Sequence, residues 1–219
     1  MATELGPEQV HAAALAAMGS PLGEPYDILR NQVTWVHLKW KEYLTLFAAS
    51  KARIEFLNEA APAFFGDLQS TLLDDVLLHL CRLTDPPKSS GKRNLTIECL
   101  PSLISDAFLR EEVEGLLTGV RETTSFAREW RNRRLAHREF PVFITADVES
   151  VTPGSRHNVE EALASIRKVL NRIEVHYLKS NVLYEHSIEA LGGVDALLKC
   201  LEKGANEKRL KRGLSPLKY

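Results

Sequence analysis

Arg131, Asn132, Arg133, Arg134, His137 and Arg138 fall within eight consecutive residues, "RNRRLAHR". Arginine presents a rigid fork of N–H donors that fits phosphate oxygens and keeps its charge at every relevant pH. Histidine is the side chain that can take or give a proton near neutrality. Between Arg128 and Arg138 there are five arginines against a single glutamate, Glu129. A local cationic zone in a chain of net charge −1 suits contact with a phosphate at a defined place better than a general coating of nucleic acid. The same residues also suit an ordinary solvated helix face, with Glu129 and Arg133 at ion-pair spacing and His137 capping the last carbonyls.

Spacing constrains the chemistry. On a regular helix, six residues advance about 9 Å and turn about 600°, about 120° short of two full turns. Arg131 and His137 would then point in different directions. Either the last turn unwinds before Pro141, or a second copy of the chain completes the cleft. Arg133 and Arg134 do share the face of His137. Their charge favours the neutral imidazole, whereas the negative end of the helix favours the protonated one, and the sequence leaves the sign open.

The elements that must position these residues are helical. In "PYDILRNQVTWVHLKWKEYLTLF", Leu29, Val33, Val36, Trp40, Tyr43 and Phe47 form one apolar stripe on a long helix. "ARIEFLNEA" extends it or forms a short second piece. Pro62 starts the next helix, whose stripe is Phe65, Leu68, Leu72, Leu73, Val76, Leu80 and Leu83. "TDPPKSSGKRN" ends that helix as a wet connector. A short helix is expected around "TIECLPSLI". Ser105 or Asp106 then caps the helix that carries the arginines, with breaks expected near Gly115 and Gly119. That helix must end by Phe140, because the residue before Pro141 is pushed out of helical geometry. A connector with an extended piece at Val142 to Thr145 follows. Asn158 and Glu161 have capping-box spacing for a helix with the stripe Val159, Leu163, Ile166, Leu170, Ile173 and Tyr177. A last helix is expected from Val182 to Leu201.

These readings give an all-α fold: an up-and-down helical bundle with a short N-terminal arm (residues 1–20), a helical domain (21–201) and a basic tail (202–219). From Lys203 to Tyr219 there are six Lys or Arg residues and one acid. The composition is that of a globular protein, 44% apolar and 26% charged. No apolar run approaches the roughly 20 residues that span a bilayer. The N-terminus has no secretion-signal pattern. Cys81, Cys99 and Cys200 are an odd set without paired spacing, which suits reduced thiols in a cytoplasmic protein.

Three stretches, in this order, resemble the HEPN superfamily, and in particular its abortive-infection AbiU branch. They are "LLHLCRLTDPP" (Leu77 to Pro87), "GKRNLTIECL" (Gly91 to Leu100) and "RNRRLAHREF" (Arg131 to Phe140). The superfamily signature is an arginine, usually beside a polar residue, followed after four to six residues by a histidine; here five intervene. The resemblance implies a HEPN-like helical bundle that commonly forms a homodimer, bringing two motifs into one cleft. It further implies a metal-independent RNA endonuclease without cofactor, of the kind used as a toxin or in phage defence. Carried over, His137 is the general acid/base, Arg131 stabilises the phosphate and Asn132 helps orient the site. Arg133, Arg134 and Arg138 would contact RNA. An antitoxin protein is a further expected partner. Glu139 stands where some members carry a tyrosine that an antitoxin modifies, so the resemblance gives no support for that form of regulation. Because the superfamily also includes inactive members, a non-catalytic module that binds nucleotide, RNA or a partner protein is the second expectation.

Other candidates weigh toward structure. His79 and Cys81 lie in an apolar helix without a second metal-ligand pair, so no metal site is expected. Asp74 and Asp75 diverge by about 100° on a helix and suit a partner for a base rather than a paired acid site. Arg82 and Asp85 flank a turn and suit a helix-end ion pair. Trp35, Trp40 and Trp130 are read as core anchors.

Overall fold

The computed structural model describes residues 6–89, 91–132, 153–186 and 192–216. Among them the architecture is all-α: eight helices, three short 3₁₀ turns and one small hairpin. The chain forms two compact units. The first contains residues 1–35 and 77–184, and the second contains residues 36–76 and 185–219.

In the first unit, helix α1 (Pro7–Met18) buries Ala14, and α2 (Ser20–Phe47) begins against it. Gly23 makes that approach possible, since a Cβ there would come within 3.1 Å of the Ala14 carbonyl oxygen and the Leu15 Cα. Helix α2 runs through Pro25, which costs one backbone hydrogen bond near its N-terminal end. All six predicted stripe residues of α2 are buried.

Helix α4 (Pro62–Thr84) enters the first unit at Leu77 and ends there, with Leu80 and Leu83 fully buried. The predicted wet connector contains a two-stranded antiparallel hairpin, β1 (Lys88–Ser89) and β2 (Lys92–Arg93). Gly91, at φ +78°, supplies the left-handed position the tight turn needs. The expected short helix is a pair of 3₁₀ turns, Ile97–Cys99 and Pro101–Leu103.

Helix α5 (Ala107–Thr123) is capped by Asp106, which accepts from the Leu109 N–H at 2.7 Å. It passes through Gly115 and Gly119 without a break. Each glycine costs roughly 1 kcal/mol against alanine, while each of the buried residues Leu109, Val113, Leu117 and Val120 contributes about 1.5–3 kcal/mol. The interruption comes instead at Thr124, whose hydroxyl bonds back to the Val120 carbonyl, and α6 (Ser125–Trp130) follows.

Helix α7 (Pro153–Leu178) packs along α5. It starts five residues before Asn158, with proline in its first turn, and Glu161 pairs with His157 rather than closing a capping box. Its stripe from Val159 to Ile173 is buried. The buried Glu174 carboxylate accepts hydrogen bonds from Tyr26 and Ser180, tying α7 to α2. Burial, with the nearby carboxylate, pushes the Tyr26 and Tyr184 phenols up, so both stay neutral.

In the second unit, the rest of α2 is followed by α3 (Lys51–Ala60), a separate helix capped by Ser50. The first part of α4 joins them, and Asp75 pairs with Lys39. Helix α8 (Val194–Lys211) starts after Gly193 and carries Lys208, Arg209 and Lys211 in its last turn, where cations suit the helix dipole. It is therefore displaced toward the C-terminus relative to the predicted Val182–Leu201, and much of the basic segment is helical. Arg209 pairs with Glu59.

Trp40 is buried and stacks on Tyr43. Trp35, by contrast, is 59% exposed and is not a core anchor. It neighbours Val36 in sequence and so lies about 100° around the helix from the buried stripe.

Candidate functional site

Two arginines of α6 and the end of α4 build the site. Arg128 and Arg131 stand three residues apart and so share a helix face. Facing them are Thr84 and Asp85 of the Leu-Thr-Asp-Pro-Pro turn. Arg128 Nη1 donates to Thr84 Oγ1 at 3.3 Å and to Thr124 Oγ1 at 2.9 Å. Thr84 is buried and its hydroxyl donates to the Leu80 carbonyl at 2.7 Å, which leaves its lone pairs for the arginine. Arg131 Nη1 donates to Asp85 Oδ2 at 2.7 Å. The turn is rigid at this point because the Asp85 N–H closes onto the Cys81 carbonyl, also at 2.7 Å, before Pro86 ends the helix.

The Asp85–Arg131 pair is half-exposed, with side-chain accessibilities of 27% and 30%. Asp85 Oδ1 is buried and has no hydrogen-bond partner among the described residues. The hydrogen bond that Arg131 donates to Asp85 raises the Arg131 pKa further, so its charge is secure. Cys81 lies beside the pair. Burial pushes its thiol up, and Asp85 adds to the rise, while Arg131 and Arg128 oppose it. A thiol held protonated in this way is a packing group rather than a nucleophile.

Arg131 sits where regular α-helical hydrogen bonding stops. Its own N–H still reaches the Ala127 and Arg128 carbonyls. From Arg131 to Asn132 the chain takes the wider, i to i+5 form of helical turn, a distortion frequent at functional sites. Asn132 is exposed. Arg133, Arg134, His137 and Arg138 lie outside the described residues, as does the expected extended piece at Val142 to Thr145.

Asp85 had been read as a partner for Arg82. It pairs with Arg131 instead, and Arg82 makes a 3.3 Å contact with His79 Nδ1. The reason is direction: Asp85 follows the last helical turn and faces α6. Thr84 and Arg128 are additional site residues that the sequence reading did not single out. The available signal was a Thr-Asp pair just before two prolines, combined with two arginines at i and i+3. Among the described residues, no group of three or more His, Cys, Asp or Glu could hold a metal ion, and no helix is long and apolar enough to cross a membrane.

The family model HEPN_AbiU2, described as AbiU2, matches residues 20–197, from the start of α2 into the first turn of α8. Neither the curated proteins nor the solved structures contain a match to the chain.

Proposed function

The chain belongs to the AbiU2 family, HEPN-domain proteins of the abortive-infection type, and from that premise we propose that it is an endoribonuclease that needs no metal. The observation that carries the proposal is Arg131. Among the described residues it is held at a distorted helix end by a single side-chain bond, to Asp85, and the rest of its donor fork is proposed to meet the phosphate. In the proposed reaction the 2′-oxygen of RNA attacks the adjacent phosphorus and the bond to the 5′-oxygen breaks, leaving a cyclic phosphate and a 5′-hydroxyl. His137 moves the protons: an imidazole takes the 2′-hydroxyl proton, and an imidazolium gives one to the leaving oxygen. A homodimer supplies both histidines in one cleft. Arg131 stabilises the charge that builds on the phosphoryl oxygens, Asn132 helps orient the motif, and Arg133, Arg134 and Arg138 hold the flanking strand. The setting that fits such an enzyme is the cytoplasm of a cell under phage attack, with an antitoxin protein as a partner.

The test is cleavage of RNA by the full chain in EDTA, with analysis of the ends produced. Cleavage should persist and leave cyclic phosphates, and His137→Ala should reduce it at least ~100-fold. Equal cutting by that variant would remove His137 from the mechanism.

One observation favours a second reading. Asp85 already balances the charge of Arg131. A binding module that does not cut would use the remaining fork to hold a phosphate. Its signature is phosphate affinity that depends on Arg131 with no cleavage at any pH.

A further inference from the structure

We propose that the β1–β2 hairpin is the dock for the RNA strand beside the scissile phosphate, with Lys88, Lys92 and Arg93 gripping its backbone. The identity of the ligand rests on the ribonuclease reading; the observations that single out the hairpin do not.

Several cations elsewhere on the molecule find acids: Arg131 with Asp85, Arg121 with Glu98, Arg172 with Glu112, Arg209 with Glu59, Lys39 with Asp75. Exposed lysines of α8 such as Lys203 and Lys208 make no ion pair among the described residues, but acids stand beside them in sequence at Glu202 and Glu207. The hairpin differs. Lys88, Lys92 and Arg93 are all exposed, and no hydrogen bond or ion pair engages their side chains among the described residues. No acidic residue occurs between Asp85 and Glu98.

Their arrangement is also unfavourable for the free protein. The register sets Lys88 directly opposite Arg93, so two like charges share one face of a two-residue ladder, which destabilises a hairpin. A polyanion laid across that face would relieve the repulsion, and Lys92, opposite Ser89 on the other face, would reach it round the edge of the short ladder. The hairpin nevertheless keeps its shape. The Asn94 N–H donates to the Pro87 carbonyl and its side-chain amide to the Pro86 carbonyl, each at 2.9 Å, locking the base of the ladder to the turn that begins at Asp85. The cations are thus presented on a fixed platform, and ordering them on binding costs less than ordering a loose tail.

Position completes the case. Lys88 follows Asp85 by three residues, a reach of at most about 11 Å. The hairpin backbone thus starts within about two nucleotide spacings of the residue that holds Arg131, and the proposal lays the strand from one to the other. The exposed side chains of both strands are lysine, serine and arginine, with no apolar residue to seed the dry centre of a protein–protein interface. Backbone phosphates require only the charge.

The experiment compares single-stranded RNA binding by full-length His137→Ala with and without Lys88→Gln, Lys92→Gln and Arg93→Gln, across a salt series. A control removes the same charge at Lys203, Lys208 and Lys211. Loss of three phosphate contacts should lower the magnitude of the salt slope by about 2, and weaken binding at low salt at least ~10-fold. The control should change both by much less. In the cleaving background the hairpin triple should raise KM and leave kcat within about twofold, since only binding shared by ground and transition states is lost. An unchanged slope, or an equal effect of the control, overturns the proposal. Unchanged RNA binding with lost binding to polyglutamate would assign the hairpin to an acidic protein and also overturn it. RNA binding that depends on the hairpin in a chain that never cuts would keep this proposal and discard the nuclease. Cleavage with KM and slope indifferent to the triple would do the reverse.

Discussion

Arg121 and Arg131 leave the same helical run ten residues apart and reach carboxylates in the same connector, yet they are built for different ends. Arg121 meets Glu98 with two parallel bonds, Nε to Oε1 at 2.9 Å and Nη2 to Oε2 at 2.5 Å. Both carboxylate oxygens are matched, Glu98 is only 9% exposed and the arginine tip lies over it. Nothing in that pair is left to offer a ligand on the acid side. Arg131 makes one bond to Asp85, whose other oxygen is buried without a partner. An unmatched buried acceptor is unfavourable, so this pair is less well satisfied than that of Arg121. The closed fork is a clamp between α5 and the connector, and the open one is the fork to which the proposed function gives the phosphate.

The sharpest way to break this comparison is to remove each arginine and measure RNA cleavage. Arg131→Ala should lower kcat by about 10²- to 10³-fold, the usual cost of a donor aimed at developing charge. Arg121→Ala should leave kcat within a few-fold. Similar losses from both would mean that the open and closed forks are not functionally distinct.

Asp85→Asn should have an intermediate effect and split the kinetic constants. Asparagine keeps an acceptor for Arg131 but removes the negative charge beside the phosphate. RNA should therefore bind more tightly, while kcat falls about 10-fold because a guanidinium held less firmly spends less time in the productive geometry. A uniform fall in activity with a matching loss of folded protein would make Asp85 a structural residue only. The expected opposite movement of KM and kcat is what separates positioning from folding.

The apolar stripes of α2, α4 and α7 were legible because burial at a 3.6-residue period is written locally, and the six stripe residues of α2 all lie in the core. The family was legible from three short stretches in a fixed order. The pairing at the site was not. Asp85 and Arg131 are 46 residues apart, and only the packing of α6 against the end of α4 decides that Asp85 faces Arg131 rather than Arg82. Local rules also misled at the ends of elements. Asn158 and Glu161 have the spacing of a cap, but Pro153 starts the helix earlier, and Gly115 and Gly119 do not interrupt a stripe buried along its whole length. Trp35, expected in the core from its helical spacing, lies outside it because its place beside Val36 is off the buried stripe. The hairpin carried only a weak signal, a glycine between two short polar runs, because two-residue strands have no periodicity to detect.

The smallest effect should come from the better-formed ion pair. Arg121 is 54% exposed, so its attraction to Glu98 is screened by water and partly offset by the entropy of fixing a long side chain. Two aligned bonds raise its value above that of a casual surface pair, and the low exposure of Glu98 means that removing the arginine strands a carboxylate with little access to water. Arg121→Ala should therefore cost about 1 kcal/mol of stability, measured as a shift in the urea midpoint at unchanged slope. Glu98→Gln in the Arg121→Ala background should recover part of that loss, because the neutral amide no longer needs a cation. No recovery would show that the loss in Arg121→Ala comes from the packing of the arginine stem rather than from its charge, and the contrast between the two forks would then rest on Arg131 alone.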